Sequence, residues 1–133
     1  MAAGTYSFTI EEGTTTDFNI TWADASGNRV NLAGYEAKMQ IKTATTATSA
    51  IIALTSSLGD TYTKASGSAF LSLSGSNLST PLSSGSIGVY IGHEITSGFS
   101  FTDAVYDIEM TSGSDRRRLL MGGVRLSNEV TTI

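Results

Sequence analysis

The sequence predicts an all-β chain, an immunoglobulin-like antiparallel β-sandwich with at most one short helical turn. Three observations carry that expectation. Apolar and polar residues alternate with a period of two over many short stretches, and almost nowhere with the period of a helix. Clusters of Gly, Ser, Asn and Asp separate these stretches, giving about eight to ten short strands with turns between them. A single proline and no cysteine occur in 133 residues, so no disulfide framework or thiolate metal site exists. A chain of this length buries roughly two thirds of the surface it exposes when unfolded, enough for one core and a single domain over 1–133.

Taken in order, Tyr6, Phe8 and Ile10 alternate with Ser7, Thr9 and Glu11. After Gly13, Phe18, Ile20 and Trp22 share one face, and Trp22 with Phe18 is expected in the core rather than on a sugar-stacking platform. Asp24-Ala25-Ser26-Gly27-Asn28 offers a side-chain acceptor and a residue free to take positive φ, so the chain should reverse there into 29–32. The next strand should follow Gly34, turning Tyr35, Ala37, Met39 and Ile41 inward and Glu36, Lys38, Gln40 and Lys42 outward.

Residues 43–50 are low in complexity and have no period that buries a face, so they should form an exposed loop. A strand pattern resumes over 51–55, ends at Gly59-Asp60, and is followed by Tyr62 and a short run over 69–73. The only helical candidate is 76–82, a turn or two limited by Pro81 and Gly85. Ile87, Val89 and Ile91 alternate again before a Gly- and Ser-rich connection and the final hairpin. In that hairpin, setting Glu109 opposite Arg118 also sets Ile108 opposite Leu119 and Tyr106 opposite Met121. Gly122-Gly123 should then mark a bulge or a close backbone approach.

Composition narrows the function. Eight Lys plus Arg and a net charge of −4 argue against nucleic acid, whose binding depends on clustered cations that release counterions. No run approaches the roughly 18 apolar residues of a membrane-spanning helix, and the first residues lack the basic-then-apolar design of a signal peptide, so synthesis in the cytoplasm is expected. Counts of 19 Ser, 19 Thr and 14 Gly stand beside 15% charged residues, where about 25% is usual. Such a hydroxyl-rich surface is common both in proteins covered by partners and in plain β-sandwiches.

Few residues could do chemistry. His93, the only histidine, lies in a strand-like stretch with no Gly-x-Ser-x-Gly elbow nearby and reads as an ordinary strand or loop residue. Asp103, Asp107 and Glu109 could suggest a calcium site, but two of them lie on the outward face of one strand, where Arg118 suffices as a partner. No catalytic residue, metal or cofactor is expected. Arg116-Arg117-Arg118 is the one charge cluster; it reads either as an edge-strand guard or as a docking patch for an acidic neighbour. A glycan-binding module would need exposed aromatics, which only Tyr62, Tyr90, Phe99 and Phe101 could supply. The expected contact regions are the 43–50 loop with Thr45 and Thr46, the segment 92–104 with His93, Phe99 and Phe101, and the Arg116, Arg117 and Arg118 edge.

The stretch 10–22 (Ile-Glu-Glu-Gly-Thr-Thr-Thr-Asp-Phe-Asn-Ile-Thr-Trp), then 31–42 (Asn-Leu-Ala-Gly-Tyr-Glu-Ala-Lys-Met-Gln-Ile-Lys), then Val105-Tyr106-Asp107-Ile108-Glu109-Met110 and the closing 118–131 together resemble a group of tailed-bacteriophage virion proteins. The succession is similar to the N-terminal domains of phage baseplate upper and tail-fibre-associated proteins. It covers both ends of the chain, although each motif alone is degenerate. The resemblance implies an immunoglobulin-like fold, no catalytic residues, and a role connecting parts of a virion, in contact with other virion proteins and with copies of itself in a symmetric homo-oligomer. Two features depart from the group: an insertion over 86–104, and the lack of a long helical or fibrous continuation. The expected function is a tail, baseplate or fibre-attachment adaptor, with a capsid decoration protein and a host glycan-binding module as alternatives; an enzyme is the weakest option.

Overall fold

The computed structural model describes residues 4–56 and 63–128. Its strands are β1 (Gly4–Thr5), β2 (Phe8–Glu11), β3 (Thr16–Thr21), β4 (Glu36–Lys42), β5 (Ile52–Thr55), β6 (Ala69–Ser72), β7 (Ser86–Ile91), β8 (Asp103–Ser112) and β9 (Asp115–Ser127). They form a larger sheet in the order β1-β9-β8-β4-β5, with β2 following β1 along β9, and a smaller sheet in the order β3-β7-β6. The sets β9-β8-β4 and β3-β7-β6 correspond to the G-F-C and B-E-D strands of an immunoglobulin-like sandwich. Pairing is antiparallel throughout except that β1 and β2 run parallel to β9.

Alternation creates the core. Ala37, Met39 and Ile41 of β4, Ile87, Val89 and Ile91 of β7, and Ile108 and Met110 of β8 are all within 1% of complete burial, joined by Ile10, Leu32 and Leu71. Each of these side chains larger than alanine contributes roughly 1.5–3 kcal/mol by leaving water. Trp22 is buried at the end of β3 and meets Tyr35 edge-on, with ring centroids 5.3 Å apart. The turn after it forms as expected: Asp24 Oδ1 accepts the Ser26 and Asn28 amides, Gly27 takes φ +86°, and Val30 N–H returns to the Trp22 carbonyl at 3.0 Å.

The first strand is broken in two, and the break is held in place. Tyr106 Oη donates to the Tyr6 carbonyl at 2.6 Å, and Tyr6 N–H donates to the Met121 carbonyl at 3.0 Å. Gly123 N–H donates to Ser7 Oγ at 3.1 Å. Gly122 makes this crossing possible, because a Cβ there would lie 2.0 Å from the Tyr6 carbonyl oxygen. Phe8 packs at 5.0 Å from both Phe18 and Tyr106, so an aromatic seam ties the N-terminal strand to both sheets.

Several expectations are corrected. The β8–β9 hairpin closes on Gly113-Ser114, with Gly113 at φ +60° as a type II′ turn requires, and Glu109 does face Arg118. Beyond that point Ile108 faces Leu120 and Tyr106 faces Gly122, not Leu119 and Met121, because Leu119 is an extra residue that bulges. The cause is a conflict of parity. Strict alternation back from Leu126 through Val124, Gly122 and Leu120 would turn Arg118 into the core; one extra residue keeps Leu120 facing in and Arg118 facing out.

The segment 86–104, which the resemblance marks as an insertion, is part strand and part connection. Ser86–Ile91 is the central strand of the smaller sheet, and only 92–102 is a connection. Helical structure also lies elsewhere than expected. Residues 76–80 are turns around Asn77, whose Oδ1 accepts from Ser79 and Thr80; a 3-10 turn covers Leu82–Ser84, and a four-residue turn of α-helix, α1, covers His93–Thr96. Gly59, Asp60 and Tyr62 lie outside the described residues.

Candidate docking face

The two sheets differ in what covers their outer faces. On the smaller sheet, Tyr90 and Phe70 stack at 5.2 Å and are 6% and 2% exposed, although they point away from the main core. Lys64 lies 5.9 Å above the Tyr90 ring and pairs with Asp17 at 2.8 Å, while Tyr90 Oη donates to the Ala65 carbonyl at 3.1 Å. Farther along, the backbone of Gly75 and Ser76 lies so close to Gly88 that a Cβ there would meet it at 2.6 Å. The chain's own loops therefore cover this face.

Among the described residues nothing comparable covers the outer face of the larger sheet. A groove of about 580 Å³ runs over it, lined on β4 by Lys38, Gln40 and Lys42, on β8 by Asp107 and Glu109, and on β9 by Arg118 and Met121. Thr45, from the 43–50 loop, borders it. Pairing sets these side chains in rows: Lys38 beside Glu109 and Arg118, then Gln40 beside Asp107 and Met121. Arg118 Nε lies 3.3 Å from Asp107 Oδ2, a diagonal ion pair, and Lys38 Nζ lies 3.7 Å from Glu36. Such exposed pairs contribute little to stability, about 0–1 kcal/mol each, so their worth to the fold is small. Met121 is 40% exposed in the middle of this charged surface.

Of the residues singled out from the sequence, the structure gathers Thr45 and Arg118 at the groove, with Thr46 exposed in the same loop and Arg116 exposed one row beyond, opposite Thr111. Arg117 alternates to the other side, opposite Met110, where Asp115 holds it at 3.0 Å. That hydrogen bond, the Asp115 charge and the nearby Tyr35 phenol all favour its charged form. The 92–104 segment does not join them. His93 is exposed on the first turn of α1, whose Thr96 hydroxyl donates to the Thr14 carbonyl at 2.8 Å. Phe99 is 8% exposed and belongs to the core, and Phe101 packs against it at 5.5 Å and is half-buried, so neither presents an open ring. Tyr90 is likewise buried, and Tyr62 lies outside the described residues.

Two of the three acidic residues considered for a cation site face arginines. Asp103 lies 3.5 Å from Arg125 and Asp107 pairs with Arg118, and among the described residues no three His, Asp or Glu side chains converge as metal ligands. Near His93, the Ser66 hydroxyl donates to the Glu94 carboxylate rather than to an imidazole. No protein-family model matches the chain, and no curated protein matches it in sequence.

Sequence reasoning assigned Glu36, Lys38, Gln40 and Lys42 to the outside but did not see them as part of a site. The missing information is the pairing of β4 with β8, which joins residues more than 60 positions apart.

Proposed function

We propose that this chain is a non-enzymatic structural protein of a tailed-phage virion, a tail, baseplate or fibre-attachment adaptor that docks other virion subunits and copies of itself. One observation carries the reading: the four stretches that resemble phage proteins coincide with the strands that build the frame. Residues 10–22 contain β3 and end on Trp22, 31–42 contain β4, 105–110 lie in β8, and 118–127 make up most of β9. The uncovered face of the larger sheet, which β4, β8 and β9 build, adds a surface on which a subunit could dock. The burial of Phe99 and Tyr90 weakens the glycan-binding alternative, which needs open aromatic faces.

The test is made on purified particles of the phage that encodes the chain. Mass spectrometry should detect the protein in stoichiometric amount, and immunogold labelling should place it on the tail or baseplate. Labelling of the head would transfer the assignment to a capsid decoration protein. Absence from purified particles would overturn the structural reading altogether.

A further inference from the structure

The outer face of the larger sheet has a charge pattern that fits a second copy of itself. Five of the chain's eight cationic side chains (Lys38, Lys42, Arg116, Arg118 and Arg125) stand on this face by their strand parity, with five of its twelve anionic ones (Glu11, Glu36, Asp103, Asp107 and Glu109). The face is thus close to neutral on a chain of net charge −4, and the excess negative charge lies elsewhere. Two copies meeting through this face therefore do not set the chain's net negative charge against itself.

The arrangement in columns selects one geometry. The outward column of β5 is uncharged (Ala53 and Thr55), that of β4 contains Lys38, Gln40 and Lys42, that of β8 contains Asp107 and Glu109, and that of β9 contains Arg118 and the exposed Met121. We propose that two copies pack these faces together about a two-fold axis running parallel to the strands between β4 and β8. That operation lays β4 over the partner's β8 and β5 over the partner's β9, keeping the rows aligned. Lys38 then opposes the partner's Glu109, Gln40 opposes the partner's Asp107, and Ala53 meets the partner's Met121, each contact occurring twice as an isologous interface requires. An axis across the strands is disfavoured, because it lays each column over itself and sets lysine against lysine.

The size of the face sets the strength. Four strands about 4.8 Å apart, over about six residues of 3.3 Å rise, give roughly 400 Å² of projected area, below the ~800 Å² per partner of a standard stable interface. The contact is a weak one in solution and gains from repetition when subunits are held side by side. This inference deepens the assembly reading by naming the face and its occupant. Its test uses purified protein, so it can fail while the protein is still found in particles.

Sedimentation velocity of the full chain should show a reversible monomer–dimer equilibrium that weakens with added salt. Lys38→Glu and Glu109→Lys, both surface changes, should each weaken self-association ~tenfold or more by opposing like charges. An equimolar mixture of the two variants should dimerise as well as the original chain, since both pairs are restored in the mixed dimer. Circular dichroism of each variant confirms that it is folded. Should Lys38→Glu or Glu109→Lys fail to fold, Met121→Asp and Gln40→Glu test the same rows, and each should weaken the dimer, the latter by setting a carboxylate against the partner's Asp107. A chain that stays monomeric at millimolar concentration, a dimer indifferent to these variants, or a mixture that does not recover would each overturn the proposal.

Discussion

Tyr106 shows how much one side chain decides. Its phenol is 4% exposed, its hydroxyl holds the Tyr6 carbonyl, and its ring packs on Phe8, so it fastens the broken N-terminal strand to the sheet. Burial first, and then the neighbouring Tyr6 phenol, push its pKa well above the ordinary 10.0. The folded state therefore keeps this proton where the unfolded chain loses it. The stability it contributes is fully present below pH 10.0 and declines as pH rises from there toward the elevated folded value. Tyr106→Phe should cost about 1 kcal/mol near neutral pH by losing the hydrogen bond. It should also flatten the alkaline decline, which urea unfolding at pH 7 and above pH 10 would reveal as a smaller difference between the two conditions. That Tyr106 faces inward was legible in the alternation of 105–110; that its hydroxyl reaches a carbonyl 100 residues away was not.

Among the elements, β9 carries the clearest conflict between local pattern and fold. Its apolar residues from Leu120 to Leu126 and its arginines before them demand opposite parities, and the extra Leu119 reconciles the two. Arg118-Leu119-Leu120 already contains this conflict as a sequence, because two adjacent leucines cannot both face the core in a regular strand. Deleting Leu119 would join the two halves into one continuous ladder, with Glu109 still facing Arg118 and Ile108 still facing Leu120. The variant should fold, losing about 1–2 kcal/mol with the half-buried leucine. Deleting Gln40 from the regular strand β4 should abolish folding, since half of that strand would present its outward residues to the core. Thermal unfolding followed by circular dichroism distinguishes the two. Pairing decides the role of β7 as well: Ile87, Val89 and Ile91 alternate as a strand, but its place at the centre of the smaller sheet depends on pairing with β3 and β6.

For the whole molecule, the uneven covering of the two sheets should be visible in exchange with solvent. β7 is paired on both edges and buried on both faces, and β8 is paired on both edges within the larger sheet. Their amides should exchange only through near-global opening, whereas most of the exposed 43–50 loop should exchange with little protection. Hydrogen exchange read by mass spectrometry checks this directly. Slow exchange in that loop at low protein concentration would contradict the described exposure.

The sequence by itself determined the two-sided strands, their turns, the inward set that becomes the core, and a net charge of −4. Those properties are local: a period of two, a glycine where φ is positive, and a count of charges need only neighbouring residues. Only the tertiary structure decided that Phe99 belongs to the core, that Leu119 bulges, and that Thr45 and Arg118 border one groove with Lys38 and Glu109. These depend on which strands lie side by side. That choice is made by burying the inward faces of two sheets against each other, and the outward residues follow the strands they stand on.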